Sequence, residues 1–128
     1  MIAVTEAAAE ISVVHVRSEG CTFSLHSGNL AGRRLFSVAV GNTVSIDGGL
    51  VPAPILVRFI EDNLGILTNP LFCVGTWFDK RQNVSLIEIS QVYQSPDQAA
   101  IVAASPVQEA IYDLADGNVL WVKELLRQ

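Results

Sequence analysis

Apolar residues recur along this chain at two intervals, and this spacing limits the folds that it can adopt. Three runs repeat at about every second residue, the period of a β-strand with one buried face. These runs are RRLFSVAVG at 33–41, LFCVGTWF at 71–78 and NVSLIEISQVY at 83–93. A fourth run repeats every three or four residues, as an amphipathic helix does, through Leu56, Phe59 or Ile60, Leu64 and Leu67. The sequence therefore predicts a sheet covered by helix on one side.

The N-terminal segment is ambiguous between strand and helix. The run ISVVHVR at 11–17 is β-branched and alternating, which favours a strand. This strand would pair through the turn SEG at 18–20 with CTFSL at 21–25 and form an N-terminal hairpin. The alternative is a helix through residues 5–17, because the first ten residues are rich in Ala and Glu.

Turn and cap signals divide the remainder. Gly and Pro residues predict a loop over 41–53, and Pro54 and Gly65 suit the start and end of the following helix. The tip DKRQ joins two strands, but its length leaves their register open. A three- or five-residue loop puts Cys73, Gly75 and Trp77 on the face of Ile87 and Ile89, whereas a two- or four-residue loop exchanges the partners.

The last third of the chain predicts a short helix and a closing hairpin. Ser95 is placed to cap a helix that begins with Pro96 and contains Gln98 at the capping-box position. Ser105-Pro106 would end this helix, and the turn residues Asp116 to Asn118 would join the last two strands.

This order of elements predicts an α+β fold. From Leu35 it reads strand, helix, strand, strand, helix, strand, which is the ferredoxin-like split βαβ arrangement (βαββαβ). We expect an antiparallel sheet with both helices on one face and an added N-terminal hairpin. Residues 1–128 would form one domain, with the hairpin extension in 1–30 and the α+β core in 34–124.

Composition bears on the partners. The net charge is −5, from 13 acidic and 8 basic residues, which disfavours nucleic acid. The start lacks a basic region and the most apolar stretch is short and broken by prolines, so neither a leader nor a membrane span is expected and a cytoplasmic location is predicted. Half of the residues are hydrophobic and only 16% are charged, which favours a homo-oligomer or a protein partner.

Several short motifs are shared with a known group of sequences. They are GCTFSLHSG at 20–28, LFSVAV at 35–40, Asn69-Pro70, VGTWF at 74–78, LIEIS at 86–90 and AIYDL at 110–114. In these motifs the chain resembles a small uncharacterised domain of bacterial and phage proteins. The resemblance spans roughly residues 20 to 115 and implies an element order but no activity. The chain departs from the group at Ser105-Pro106, where the other sequences continue a longer helix.

The candidate binding residues are polar or aromatic positions of the central hairpin: Thr76, Trp77, Asp79, Glu88 and Ser90. Trp77 would offer a rigid contact surface, although a tryptophan beside a strand glycine more often fills the core. Glu88 alternates with Ile87 and Ile89, so it should lie with Ser90, and with Thr76 in one register, on the open face of the sheet. The turn residues from Asp79 are most simply solvated.

Catalytic and metal sites are not expected. Glu88 and Asp113 lack a second acid at a defined spacing, as general acid–base catalysis would need. His15, Cys21 and His26 match no common zinc-ligand spacing, so no metal or other cofactor is predicted. Cys21 and Cys73 are expected to be buried free thiols.

Two functional hypotheses follow. The first is a non-enzymatic module that binds a protein, or a second copy of itself, through the open sheet face or the N-terminal hairpin. The second is a small-molecule-binding domain or enzyme with a pocket near the 41–53 loop, where Asp47 could meet a ligand.

Overall fold

The structure, a computed structural model, describes residues 1–103 and 110–121. The helices are α1 (Val4–Ser18), α2 (Ala53–Asp62), α3 (Leu64–Leu67) and α4 (Pro96–Ala103). The strands are β1 (Gly20–Ser24), β2 (Gly28–Asn29), β3 (Phe36–Asp47), β4 (Phe72–Asp79), β5 (Val84–Tyr93), β6 (Ala110–Asp113) and β7 (Asn118–Trp121). Within these residues no helix combines the length and the apolar composition that a membrane crossing requires.

The predicted ferredoxin-like fold is wrong, although the strands and helices after Leu35 follow the expected order. Instead of a two-layer sandwich on a split βαβ sheet, one antiparallel sheet of seven strands curls into a half-barrel. The strand order is β2-β1-β4-β5-β3-β6-β7. The strands β1 and β2 therefore extend the sheet at one edge and β7 extends it at the other.

A bent strand at the middle of the sheet accounts for much of this curl. The pairing of β3 with β5 shifts register between Ala39 and Gly41 and again between Gly41 and Val44. Between these points Asn42 has a left-handed φ of 52°. Such bulges bend a strand and increase its twist. The predicted loop at 41–53 is therefore wrong in its first half, because β3 continues through the bulge to Asp47.

The predicted N-terminal hairpin is also wrong, and the helical alternative is correct. Residues 4–18 form α1, in which Ala7, Ala8, Ile11 and His15 are buried on one face. The burial of this face outweighs the β-propensity of the valines, since packing of an amphipathic face supplies most helix stability in proteins. Glu19 then ends the helix with a left-handed φ of 62°.

The main core lies between α1, α2 and one face of the sheet. Ile60 of α2 is fully buried, and Ile87 and Ile89 of β5 meet it in the same hydrophobic cluster, as predicted. The predicted helix over 55–67 is present but interrupted at Asn63, whose side-chain amide donates to the Phe59 carbonyl oxygen at 2.7 Å. Gly65 lies inside α3 rather than at a helix end.

The central hairpin resolves the open register. Its turn has four residues, 80–83, so Val74 pairs with Ile89 and Thr76 with Ile87 on the face that meets the helices. Trp77 pairs with Leu86, Gly75 with Glu88 and Cys73 with Ser90 on the opposite face.

The short helix and the closing hairpin are confirmed where the structure describes them, although Asn118, expected in the turn, lies in β7. Ser95 Oγ accepts hydrogen bonds from the backbone N–H groups of Asp97 at 3.2 Å and Gln98 at 3.5 Å, as a helix N-cap does. The closing hairpin pairs Asp113 with Asn118. The predicted helix end at Ser105-Pro106 lies outside the described residues.

Candidate ligand-binding cleft

The sheet face opposite the main core borders a cleft of about 750 Å³, to whose lining Val14 and Ser18 of α1 also contribute. Its lining includes Thr22 of β1, Gly75 of β4, Glu88 of β5 and Ala39 of β3, and it continues to Val119 of β7. The lining extends from β1, near one edge of the sheet, to β7 at the other edge, so this is the concave face of the half-barrel. The volume lies in the range of small-molecule sites, about 300–1,000 Å³.

Small side chains on this face leave the cleft open. Ser37 and Ala39 lie on β3 and Gly75 on β4, whereas the alternate positions, such as Val38 and Val74, are large and buried in the core clusters. Gly75 is in direct contact with its neighbour across the strands: a Cβ at this position would overlap the hydroxyl oxygen of Ser90. The side chain that fills the space beside this glycine is therefore Ser90 and not the neighbouring Trp77.

Glu88 is the carboxylate of the cleft. It is half-buried on β5 and lies opposite Gly75. Burial raises the pKa of Glu88, and a hydrogen bond with the Thr43 side chain partly opposes that rise. Glu88 takes part in neither ion pair of the described residues, which join Arg58 to Asp62 and Lys80 to Glu19.

The two ends of the cleft differ in polarity. At one end Trp77 is 41% exposed and Arg81 lies in the hairpin turn. The interpretation of Trp77 as a core residue is therefore wrong. At the other end Tyr112 and Leu114 line the wall and pack in a cluster with the buried Cys73. An apolar wall at one end and polar groups at the other suit an amphipathic ligand.

The predicted site residues are divided between the two faces of the sheet. Trp77, Glu88 and Ser90 come together in the cleft. Thr76 borders it, but its hydroxyl lies 2.8 Å from His15 Nδ1 on the helix side. Asp79 Oδ1 accepts the backbone N–H groups of Arg81 at 3.0 Å and Gln82 at 3.4 Å, which is a turn-stabilising role.

His15 belongs to a buried polar network behind the cleft. Its Nε2 lies 2.9 Å from Ser85 Oγ, which donates its one proton to the Gly48 carbonyl oxygen at 2.7 Å. Ser85 must therefore accept from Nε2–H, and Nδ1 accepts from the Thr76 hydroxyl. Burial lowers the pKa of His15. This network anchors α1 to β4 and β5 and leaves no proton aimed at the cleft.

His15, Cys21 and His26, which were weighed as zinc ligands, each have a separate structural role. His26 Nε2 donates to the Thr68 carbonyl oxygen at 2.7 Å, and His15 is held by hydroxyls. Cys21 and Cys73 are free and buried, as predicted, and burial raises the pKa of each thiol to about 12. Among the described residues no three His, Cys, Asp or Glu side chains gather as metal ligands.

Asp47, expected to meet a ligand in a pocket near the 41–53 loop, lines neither cavity of the described residues. A second, shallower cavity of about 480 Å³ is lined by Gly41, Asn42, Ile66 and Phe72 among others. Asp47 instead pairs with Val84 at the end of β3.

Sequence reasoning missed Thr22, Ala39 and Tyr112 in the lining of the cleft, and Thr43 as a hydrogen-bonding neighbour of Glu88. Thr43 reaches Glu88 only because of the bulge in β3, which no residue pattern marks. Tyr112 belongs to the AIYDL motif, and its alternation with Ile111 and Asp113 was the available signal.

The fold and the cleft together define a small half-barrel protein with a concave, partly polar face. Comparisons of the chain with protein-family models, with curated proteins and with solved structures give no match. The resemblance to a bacterial and phage domain therefore stays a prediction that depends on its motifs alone.

Proposed function

We propose that this protein binds a small, largely apolar molecule in the concave cleft and does not transform it. The observation that carries the proposal is the 750 Å³ cleft, in which Glu88 lies among mostly neutral side chains and Arg81 is the one basic residue of the described lining. Small-molecule sites combine an apolar wall with a few polar groups that orient the ligand. Here Tyr112 and Leu114 supply the wall, and Glu88, Ser90 and Thr22 supply the polar groups.

A binding role is favoured over a catalytic one by the composition of the cleft. Among the described residues its lining holds one carboxylate and no histidine. General acid–base catalysis commonly uses a histidine or a pair of carboxylates, and the other titratable residues of the lining are Arg81, Cys21 and Tyr112. The thiols of Cys21 and Cys73 are poor nucleophiles, because burial raises the pKa of both to about 12.

The proposal is tested with Nile red, a neutral apolar dye whose fluorescence rises when it leaves water. We expect saturable binding, with amide shifts in NMR spectra centred on Gly75, Glu88 and Ser90. Ala39→Leu fills the cleft from β3 and should raise the dissociation constant at least about tenfold, equivalent to 1.4 kcal/mol. Ala9→Leu, the same change on an exposed position of α1, is the matched control.

The outcomes separate clearly. Loss of affinity in Ala39→Leu but not in Ala9→Leu supports the cleft as the site. Equal affinity in both variants, or no saturable binding by the wild-type protein, contradicts the proposal.

Self-association is a second candidate function, and a different surface favours it. Val13 and Val16 lie one turn apart on the outer side of α1 and are 49% and 52% exposed. Leu50, 65% exposed, precedes Val51, whose carbonyl oxygen accepts a hydrogen bond from Ser12 of the same helix. We name Val13, Val16 and Leu50 the α1 patch and propose that it meets the same patch of a second copy.

A further inference from the structure

Glu88 and Trp77 are neighbours on the concave face. Glu88 pairs with Gly75 and Trp77 pairs with Leu86, so the two side chains are diagonal partners on adjacent strands. Diagonal partners lie about 7–8 Å apart at the backbone, within reach of aromatic and long side chains. Gly75, directly opposite Glu88, presents no side chain, and the Ser90 hydroxyl occupies the place where its Cβ would be.

The carboxylate lacks a cation of its own in residues 1–103 and 110–121. The strands that flank Glu88 present Gly75 from β4 and Thr43 from β3, neither of which carries charge. The other titratable groups in the lining are Arg81 in the exposed turn, Cys21 and Tyr112. A half-buried carboxylate is stabilised when a positive group pairs with it, and one hydroxyl partner leaves most of its acceptor sites unused.

We propose that the cleft selects ligands with an organic ammonium group, which binds between the Glu88 carboxylate and the Trp77 ring while the apolar part lies toward Tyr112 and Leu114. This inference rests on the proposed function. A carboxylate supplies charge-assisted hydrogen bonds to the ammonium protons, and a tryptophan face attracts a cation through its π-electrons. Ser90, two residues along the same face of β5, supplies a further hydroxyl acceptor.

The charge state of Glu88 adds a second readout. Burial raises the pKa of its carboxyl group, so the protonated form persists to higher pH than for an exposed glutamate. Only the ionised form pairs with an ammonium group. The affinity for a cation should therefore rise with pH through the Glu88 titration and then level off, whereas the affinity for a neutral ligand should rise little or not at all.

The experiment compares three probes of similar size and different charge: 2-phenylethylammonium, 2-phenylethanol and phenylacetate. Dissociation constants are measured by NMR titration of the full chain at pH 7.5 and low salt. We expect the ammonium probe to bind at least about tenfold more tightly than the alcohol, as a hydrogen bond to a charged group implies, and phenylacetate to bind most weakly. Glu88→Gln should reduce the ammonium-to-alcohol ratio to about one, while Glu61→Gln, an exposed glutamate of α2, should keep it.

Equal affinities for the ammonium probe and the alcohol would overturn the inference, and so would a preference that survives Glu88→Gln. If Glu88→Gln does not fold, the pH dependence in the wild-type protein decides: a rise for the ammonium probe alone supports the inference, and parallel curves overturn it. Failure here leaves the proposed function standing when Nile red still binds and Ala39→Leu still weakens it. If Nile red does not bind, or Ala39→Leu does not weaken its binding, the proposed function fails together with the inference.

Discussion

At the scale of single residues, the GTWF motif separates into three roles. Gly75 makes room for Ser90, Thr76 bonds to His15 behind the sheet, and Trp77 lies half in solvent at the cleft. A glycine inside a strand marks a bulge or a close approach, but the sequence does not say which side chain makes that approach. It could not predict the exposure of Trp77, since the same aromatic residue suits a core and a binding wall equally well.

We predict that Gly75→Ala destabilises the protein by about 1–3 kcal/mol, the usual cost of overpacking. The added methyl group overlaps the hydroxyl oxygen of Ser90, which is itself buried between strands. Urea unfolding measures the change in free energy. Adding Ser90→Ala removes the overlapping oxygen, so the double variant should recover part of the loss.

Gly65→Ala is the control for this substitution. Nothing lies within 4 Å of a Cβ at Gly65, and the residue is helical, so the change should stabilise by about 0.5–1 kcal/mol. An undiminished stability in Gly75→Ala would show that the strands separate freely at this point and that the cleft is not shaped by this contact.

At the scale of elements, local signals predicted α2, the central hairpin and the start of α4. Each has a pattern that agrees with its caps or turns, such as Ser95 before Pro96. The strand predicted for Ile11 to Arg17 is wrong, because its β-branched residues also fit a helix whose other face is buried. What decides between the two is the surface of α2 against which α1 packs, and that surface is distant in sequence.

We predict that α1 makes stability depend on pH through His15. Burial lowers the pKa of His15 in the folded state below its ordinary value of about 6.5, so in acid the unfolded chain binds more protons. Stability should therefore be highest above about pH 6.5 and fall below it, by up to about 1.4 kcal/mol for each pH unit. The free energy of unfolding is measured between pH 7.5 and 5.

His15→Gln isolates this effect, because glutamine keeps a donor and an acceptor but does not titrate. The raised pKa of Glu88 acts in the opposite direction, since its folded form binds protons more readily than the unfolded form. Glu88 is present in both proteins, so its contribution cancels in the difference between them. A wild-type curve parallel to that of His15→Gln would refute the assignment of the network.

At the scale of the whole molecule, the bulges in β3 bend the sheet of the half-barrel, which replaces the predicted ferredoxin-like fold. The sequence predicts a loop over 41–53 from the Gly and Pro residues of that segment, and nothing in the sequence marks Gly41 and Asn42 as a bulge. Here they bend a strand that continues, and Asn42 donates to Asn63 Oδ1 at 2.6 Å, which links the bulge to the break between α2 and α3. That link joins residues 21 positions apart, so no local pattern shows it. The cleft depends on this curvature, so a sequence analysis that did not predict the curvature could not predict the cleft either.

The interface that we propose for a second copy is the α1 patch, which lies outside the cleft. With the concave face assigned to the proposed ligand, the exposed residues of the α1 patch are the surface that we propose for a second copy. We predict a dimer in solution by light scattering coupled to size-exclusion chromatography at about 100 μM. The double variant Val13→Glu/Val16→Glu should raise the dissociation constant at least about tenfold, because two facing pairs of carboxylates replace apolar contacts. Leu71→Glu, at a 52% exposed position away from α1, should leave the dimer intact. A monomeric wild-type chain, or equal dimer dissociation constants for the two variants, would show that the α1 patch is not the interface.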